Sequence, residues 1–273
     1  MLRNTKDLHD YTIEATDGAV GQVEDFYFDD RAWVVRYLVV DTGNWLLSRK
    51  VLVSPMLFSV PDWSTRTLSV TRTREEIKAS PDIDTQLPVS RQQEADYLAY
   101  YDYPHYWGGT GLWGSAMTPE QLLPGAGGDR SAQTDLSARA VPAVPRQGDG
   151  EDPHLRSCDA VTGYHIQAID GEIGHVQGFL LDDSTWAIRY MVIDTSNWWV
   201  GHQVLIAPPW IDAVSWPDRT VSVNLTRQAI QAAPAYDPLV QPDRAQELGL
   251  YRHYGQSDQW SESTDAPGVA VPI

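Results

Sequence analysis

The sequence predicts a mainly β protein built from two tandem small antiparallel β-barrels, each followed by a short helix and an aromatic segment. Three observations carry that prediction. The stretch 33–55, W-V-V-R-Y-L-V-V-D-T-G-N-W-L-L-S-R-K-V-L-V-S-P, returns at 186–208 as W-A-I-R-Y-M-V-I-D-T-S-N-W-W-V-G-H-Q-V-L-I-A-P. The likeness runs without a gap from 11–81 onto 164–234 at a constant offset of 153, with 31 of 71 positions identical, so the chain is a duplication. Each copy also packs several short runs of β-branched and aromatic residues between turn signals, the density of a small barrel or sandwich. Two copies are too few for a solenoid.

The elements follow in order. The first few residues are polar and are expected to fray. Tyr11 to Thr16 alternates like a strand and meets Asp17-Gly18, whose tolerance of positive φ suits a tight hairpin turn. Ala19 to Phe28 is the second strand, and Gly21 within it signals a bulge or a close backbone approach. Asp29 to Ala32 turns the chain. Trp33 to Asp41 is the richest β-former run and reads as a central strand buried on much of both faces. Val51 to Val53 and Arg66 to Val70 add two more strands. Thr73-Arg74-Glu75-Glu76 reads as a capping box that opens a helix ended by Pro81.

The repeat continues beyond each barrel. Arg91, Gln93, Glu94, Tyr101 and Trp107 match Arg244, Gln246, Glu247, Tyr254 and Trp260 at the same offset. A short helix is therefore expected over about 90–101 and 243–254, followed by an irregular aromatic stretch. Residues 108–155 are rich in Gly, Pro, Ala and Ser and read as a flexible connector. The resulting plan is a first repeat with its extension over 1–107, a linker over 108–155, a second repeat over 156–260 and a disordered tail over 261–273.

Composition removes several classes of function. The chain has 37 acidic against 20 basic side chains, a formal charge of −17, which repels phosphate backbones and argues against nucleic-acid binding. No run reaches the ~18–20 apolar residues that cross a bilayer, and the first residues lack the apolar stretch of a signal peptide. One cysteine, Cys158, excludes an intrachain disulfide framework and fits a reducing compartment. A cytoplasmic location is expected.

No chemistry-bearing set is duplicated. Gly109-Thr110-Gly111-Leu112-Trp113-Gly114 matches G-x-G-x-x-G, but no strand precedes it and no helix follows, so no dinucleotide site is expected. The histidines lack metal-ligand spacing and none aligns between the copies. Asp29-Asp30 with Asp182-Asp183, and Asp41 with Asp194, are better read as turn-capping carboxylates than as acid–base pairs. Arg36 and Arg189 interrupt apolar strands, either facing outward or pairing with Asp41 or Asp194. No nucleophile–base arrangement recurs. The chain is expected not to be an enzyme, and to carry no cofactor, no metal and no catalytic residue.

The order D-G-x-x-G-x-V, then an Asp-Asp turn, then R-Y-L-V-V-D-T-x-N-W and K-V-L-V-S-P, resembles the PRC-barrel family, over about 7–80 and 160–233. That family includes the cytoplasmic domain of the photosynthetic reaction-centre H subunit and the C-terminal domain of the ribosome-maturation factor RimM. The resemblance implies a strongly bent barrel used as a binding module, with Gly21 and Gly174 as barrel glycines and Arg36 and Arg189 in the central strand. The membrane helix of H subunits and the extra domain of RimM are missing from this sequence.

The expected function is a non-enzymatic cytoplasmic binding or scaffold protein with an unidentified protein partner. Intrachain pseudo-twofold pairing of the barrels is expected, and a homo-oligomer is left open. The candidate interaction surface is Asn44, Trp45, Asn197, Trp198 and Trp199, with Trp107 and Trp260, because exposed Trp is enriched at interface hot spots. The alternative is a peripheral, H-subunit-like component of a photosynthetic or electron-transfer membrane complex.

Overall fold

A computed structural model of the protein describes residues 1–43, 49–59, 63–81, 89–122, 154–195 and 203–256. The chain divides into two compact units, Met1–Thr162 with Gly178–Tyr190, and Gly163–Gln177 with Met191–Ile273. Both are mainly β.

The first unit begins with strand β1 (Leu2–Asn4) and a helical turn α1 (Thr5–Leu8). Strands β2 (Thr12–Ala15), β3 (Gly18–Asp29), β4 (Val34–Asp41), β5 (Lys50–Val53) and β6 (Thr67–Ser69) follow. The helices are α2 (Arg74–Lys78), α3 (Arg91–Tyr100) and α4 (Pro119–Leu122). After them come β7 (Leu155–Ser157) and α5 (Cys158–Val161). The strands run β5-β4-β3-β2-β6, with β7 joining the side of β3.

A closed antiparallel barrel is not what these strands form. The sheet is open, and it is mixed because β6 lies parallel to β2. The reason is local. Beyond β5 the chain enters a 3-10 turn, Pro55–Leu57, capped by Ser54, and Phe58 then makes a single bridge to Val70. Pro55 has no N–H to donate, so the ladder cannot continue through it. A turn and one bridge stand where a barrel would have a seam.

β4 is buried at every position from Val34 to Val40, packed between β3 and β5. α3 guards the outer edge of β5. The Tyr97 hydroxyl accepts from the Ser54 amide and donates to the Leu52 carbonyl, both at 3.1 Å, so an edge strand open to pairing is satisfied from within the fold.

The second repeat is built on β8 (His165–Ala168), β9 (Gly171–Asp182), β10 (Ile188–Asp194), β11 (Gln203–Ile206), β12 (Ile211–Ser215) and β13 (Thr220–Val223). Helices α6 (Arg227–Gln231) and α7 (Arg244–His253) complete it. The order β11-β10-β9-β8-β13-β12 repeats the first sheet, including a parallel β8–β13 pair, and it is also open. Trp210 packs on Tyr251 and Tyr254 at the end of α7, whereas at the end of α3 Tyr97 packs on Tyr101. Among the described residues no helix is long and apolar enough to cross a membrane.

The first residues are not frayed. β1 pairs antiparallel with the far end of β9, Leu2 opposite Asp182, and β7 pairs in the same way with β3, Leu155 opposite Asp29. These pairings, all inside the first unit, are one contact made twice, because Leu2 and Leu155 are equivalent positions, as are Asp29 and Asp182. Each repeat thus lends its leading strand to the sheet of the other. The hairpin tips meet as well: the Val35 amide donates to the Trp186 carbonyl at 2.8 Å, and the Ile188 amide to the Trp33 carbonyl at 2.7 Å. Both tryptophans hold positive φ, 54° and 60°, which costs a bulky residue about 1–3 kcal/mol and persists only where packing enforces it. Trp33 is held by stacking on Phe28 and Trp186 by packing on Phe58.

Candidate functional site

The duplicated Asp-Asp turns divide their labour. The first Asp caps its turn: Asp29 Oδ1 accepts from the amides of Arg31 and Ala32, and Asp182 Oδ1 from those of Ser184 and Thr185. Burial pushes the Asp182 carboxyl up, but these bonds with the Ser184 and Thr185 hydroxyls more than offset it and leave it below the usual range. The second Asp receives the other repeat's leading strand. Arg156 Nε donates to Asp30 Oδ2 at 2.9 Å, and Arg3 Nε to Asp183 Oδ2 at 3.0 Å. The backbone repeats the exchange, the Asp30 amide donating to the His154 carbonyl and the Asp183 amide to the Met1 carbonyl.

Arg36 lies inside the first unit, 2% exposed. It faces Asp29 at 3.7 Å, not Asp41, and donates from Nη1 to the Leu112 carbonyl at 2.7 Å. Its guanidinium sits 4.0 Å over the Tyr106 ring and 4.7 Å over that of Trp113. Burial pulls its pKa down to about 10, which leaves it charged at neutral pH. Beside it lies Glu94 of α3, fully buried, with His154 Nε2 at 2.6 Å and Arg91 Nη1 at 3.3 Å. Burial raises the Glu94 pKa, and the contact with His154 opposes the rise. Asp29, Arg36, Glu94, Arg91 and His154 therefore form one buried charge cluster under an aromatic roof. Burying such a cluster costs desolvation, so removing one partner, which leaves the others uncompensated, is the destabilising change.

The roof comes from a stretch that reads as connector. Trp113 is fully buried and its Nε1 donates to the Thr185 carbonyl at 2.8 Å. The glycines around it are there for close packing: a Cβ on Gly109 would lie 2.1 Å from the Gly114 carbonyl oxygen, and one on Gly111 2.2 Å from that of Ala116. The G-x-G-x-x-G match is thus a tight backbone fold that inserts a tryptophan.

Other singled-out residues take structural places. A Cβ on Gly21 would lie 1.9 Å from the Asp41 carbonyl oxygen, and one on Gly174 2.2 Å from that of Asp194, so both glycines sit where β3 and β9 press against a neighbouring strand. Asp41 Oδ1 accepts from the Gly43 amide at 2.9 Å, a turn contact, and Asp194 stands opposite Gln203 on β11. Arg189 lies in β10, half-buried. Trp107 has His105 stacked 4.3 Å from one ring and the Arg91 guanidinium 4.5 Å from the same indole. Asn44, Trp45, Asn197, Trp198, Trp199 and Trp260 lie outside the described residues.

Sequence reasoning did not single out His154, Trp113 or Asp25. Asp25 is a partly buried carboxyl that accepts from the Ser157 hydroxyl and from the amides of Asp159 and Phe26; burial lifts its pKa to about 6. Glu94 had a visible signal, its recurrence with Arg91 in the second helix. His154 had a fainter one: Leu155-Arg156 echoes Leu2-Arg3 at the common offset. Among the described residues no group of three or more His, Cys, Asp or Glu side chains is placed to hold a metal ion.

Two open mixed β-sheets of like strand order, each with a glycine of its long second strand pressed against the end of the next strand, define one β module used twice. The PRC-barrel domain model matches residues 6–61; the chain carries a PRC-barrel domain there. No curated protein matches the chain.

Proposed function

We propose that the protein is a non-enzymatic binding or scaffold protein in which the PRC-barrel module occurs twice, the second copy at about 160–233 by its likeness to the first. The observation that carries this reading is the use of the duplicated polar residues. Asp29, Asp30, Arg36, Asp182 and Asp183 spend their hydrogen bonds and charges on turns, leading strands and the buried cluster, and so support docking of segments in place of proton transfer. In this reading each copy is a barrel variant whose seam is the proline turn, the protein acts in the cytoplasm, and Trp45 and Trp198 carry the contact.

The test is cross-linking of the tagged full chain in its source cells, followed by reconstitution of any captured partner from purified components. Binding by the wild type that a Trp45→Ala/Trp198→Ala variant loses, with its thermal unfolding unchanged, is the expected result. A purified partner that binds both forms equally removes Trp45 and Trp198 from the proposal.

A second reading is favoured by the PRC-barrel match itself, since the resemblance includes reaction-centre H subunits. It makes the protein a peripheral component of an electron-transfer membrane complex. Membrane fractionation separates the two, because a protein found wholly outside membrane complexes ends the second reading.

A further inference from the structure

In the second unit, strands β8 and β9 form an antiparallel pair in which His165 stands directly opposite His175. Directly opposed side chains point to the same face of a sheet, with Cβ atoms about 4.5–5.5 Å apart. Glu172, also on β9, reaches across to the same imidazole: its Oε1 lies 2.8 Å from His165 Nδ1. A carboxylate can only accept, so Nδ1 carries the proton and the Nε2 lone pair of the neutral ring is free. That is the arrangement in which a carboxylate orients a metal-ligating histidine and raises its basicity. His165 and Glu172 are well exposed, 58% and 49%, and His175 is half-buried, so an ion has access from solvent.

We infer that His165 and His175 form a two-imidazole site for a borderline transition-metal ion such as Zn²⁺, with Glu172 positioning His165. Imidazole nitrogens suit Zn²⁺, Cu²⁺ and Ni²⁺ at about 2.0–2.1 Å, and water completes the coordination. The site belongs to one repeat. In the first repeat the same pair of positions is Thr12 opposite Gln22, and Ala19 stands where Glu172 does. Sequence spacing hides it, because the two histidines are brought together by the Asp170-Gly171 turn and not by a helical interval.

The duplication supplies the test. His165→Thr, His175→Gln and Glu172→Ala each install the residue that the first repeat already carries in the same strand pairing, so the variants are expected to fold. Zn²⁺ is titrated calorimetrically into the full chain in a non-chelating buffer, with thermal unfolding as the folding control. One Zn²⁺ bound per chain is expected. Glu172→Ala weakens binding by about 10-fold, the low end for loss of an outer-shell partner, and either histidine substitution weakens it further. No uptake by the wild type overturns the site, as does uptake unchanged in the two histidine variants, which would place the ion on other residues. Unchanged affinity in Glu172→Ala overturns the positioning role.

Discussion

Val34 and Ala187 face each other in an isolated antiparallel bridge within the first unit, and they are the same position of the two repeats. A contact between equivalent positions is self-matching, so everything around it occurs twice: Trp33 to Ile188 and Trp186 to Val35. The flanking bonds make 34 and 187 a non-hydrogen-bonded pair, the closer of the two antiparallel spacings, with Cα atoms about 4.5 Å apart.

That spacing suits a disulfide. The double variant Val34→Cys/Ala187→Cys is expected to oxidise within one chain and to raise stability by about 2–4 kcal/mol. Thiol titration and unfolding with and without reductant check it. Two free engineered thiols under oxidising conditions contradict the bridge.

The paired latches predict matched energetics. A double-mutant cycle on Arg156 and Asp30 is expected to give a coupling of about 1–2 kcal/mol, and the cycle on Arg3 and Asp183 a similar value. Denaturant unfolding measures both. A coupling near zero in either would mean that the strand is held by its backbone alone.

Asp25 predicts a pH dependence. Its folded pKa of about 6 lies above the ordinary 3.8, so the folded protein takes up this proton before the unfolded chain does. Stability from this group therefore rises as pH falls from above 6 toward 4, by at most about 3 kcal/mol. Asp25→Asn removes that slope. Urea unfolding at intervals across pH 4–7 compares the two proteins, and equal slopes reject the assignment.

Trp113→Ala is expected to cost about 3–5 kcal/mol, as for a large buried aromatic. Trp113→Phe keeps most of the packing and loses the bond to Thr185, about 1 kcal/mol. Equal losses for the two would mean that ring burial contributes little.

Asp102 holds φ of 56° at the end of α3, where the Tyr103 amide closes back on the Leu98 carbonyl. Its equivalent after α7 is Gly255, φ 64°. Asp102→Gly is expected to be neutral to about 1 kcal/mol stabilising, and Asp102→Val to cost about 1–2 kcal/mol. Thermal unfolding decides, and a destabilised glycine variant contradicts the left-handed cap.

Duplication and strand order were legible because β-branched runs and turn residues act locally. The capping box at Thr73 was legible for the same reason: Thr73 and Glu76 bond each other's backbone amides. Closure was not legible. It depends on whether β5 reaches β6, and the proline turn at Pro55 diverts the chain first. The leading strands were invisible because three residues carry no period, and Leu2-Arg3-Asn4 becomes a strand only beside β9. The site shows the same divide. Asp29 reads as a turn residue from its neighbours, whereas Glu94 and His154 are distant in sequence and become a pair only when α3 and β7 dock on one sheet.

The crossed leading strands also decide what a protease could accomplish. A single cut anywhere between residues 122 and 154 severs the covalent path between the repeats, yet β7 would still be laced to β3 and β1 to β9. The nicked protein is expected to travel as one particle until denatured. Its integrity then rests on non-covalent stitching alone.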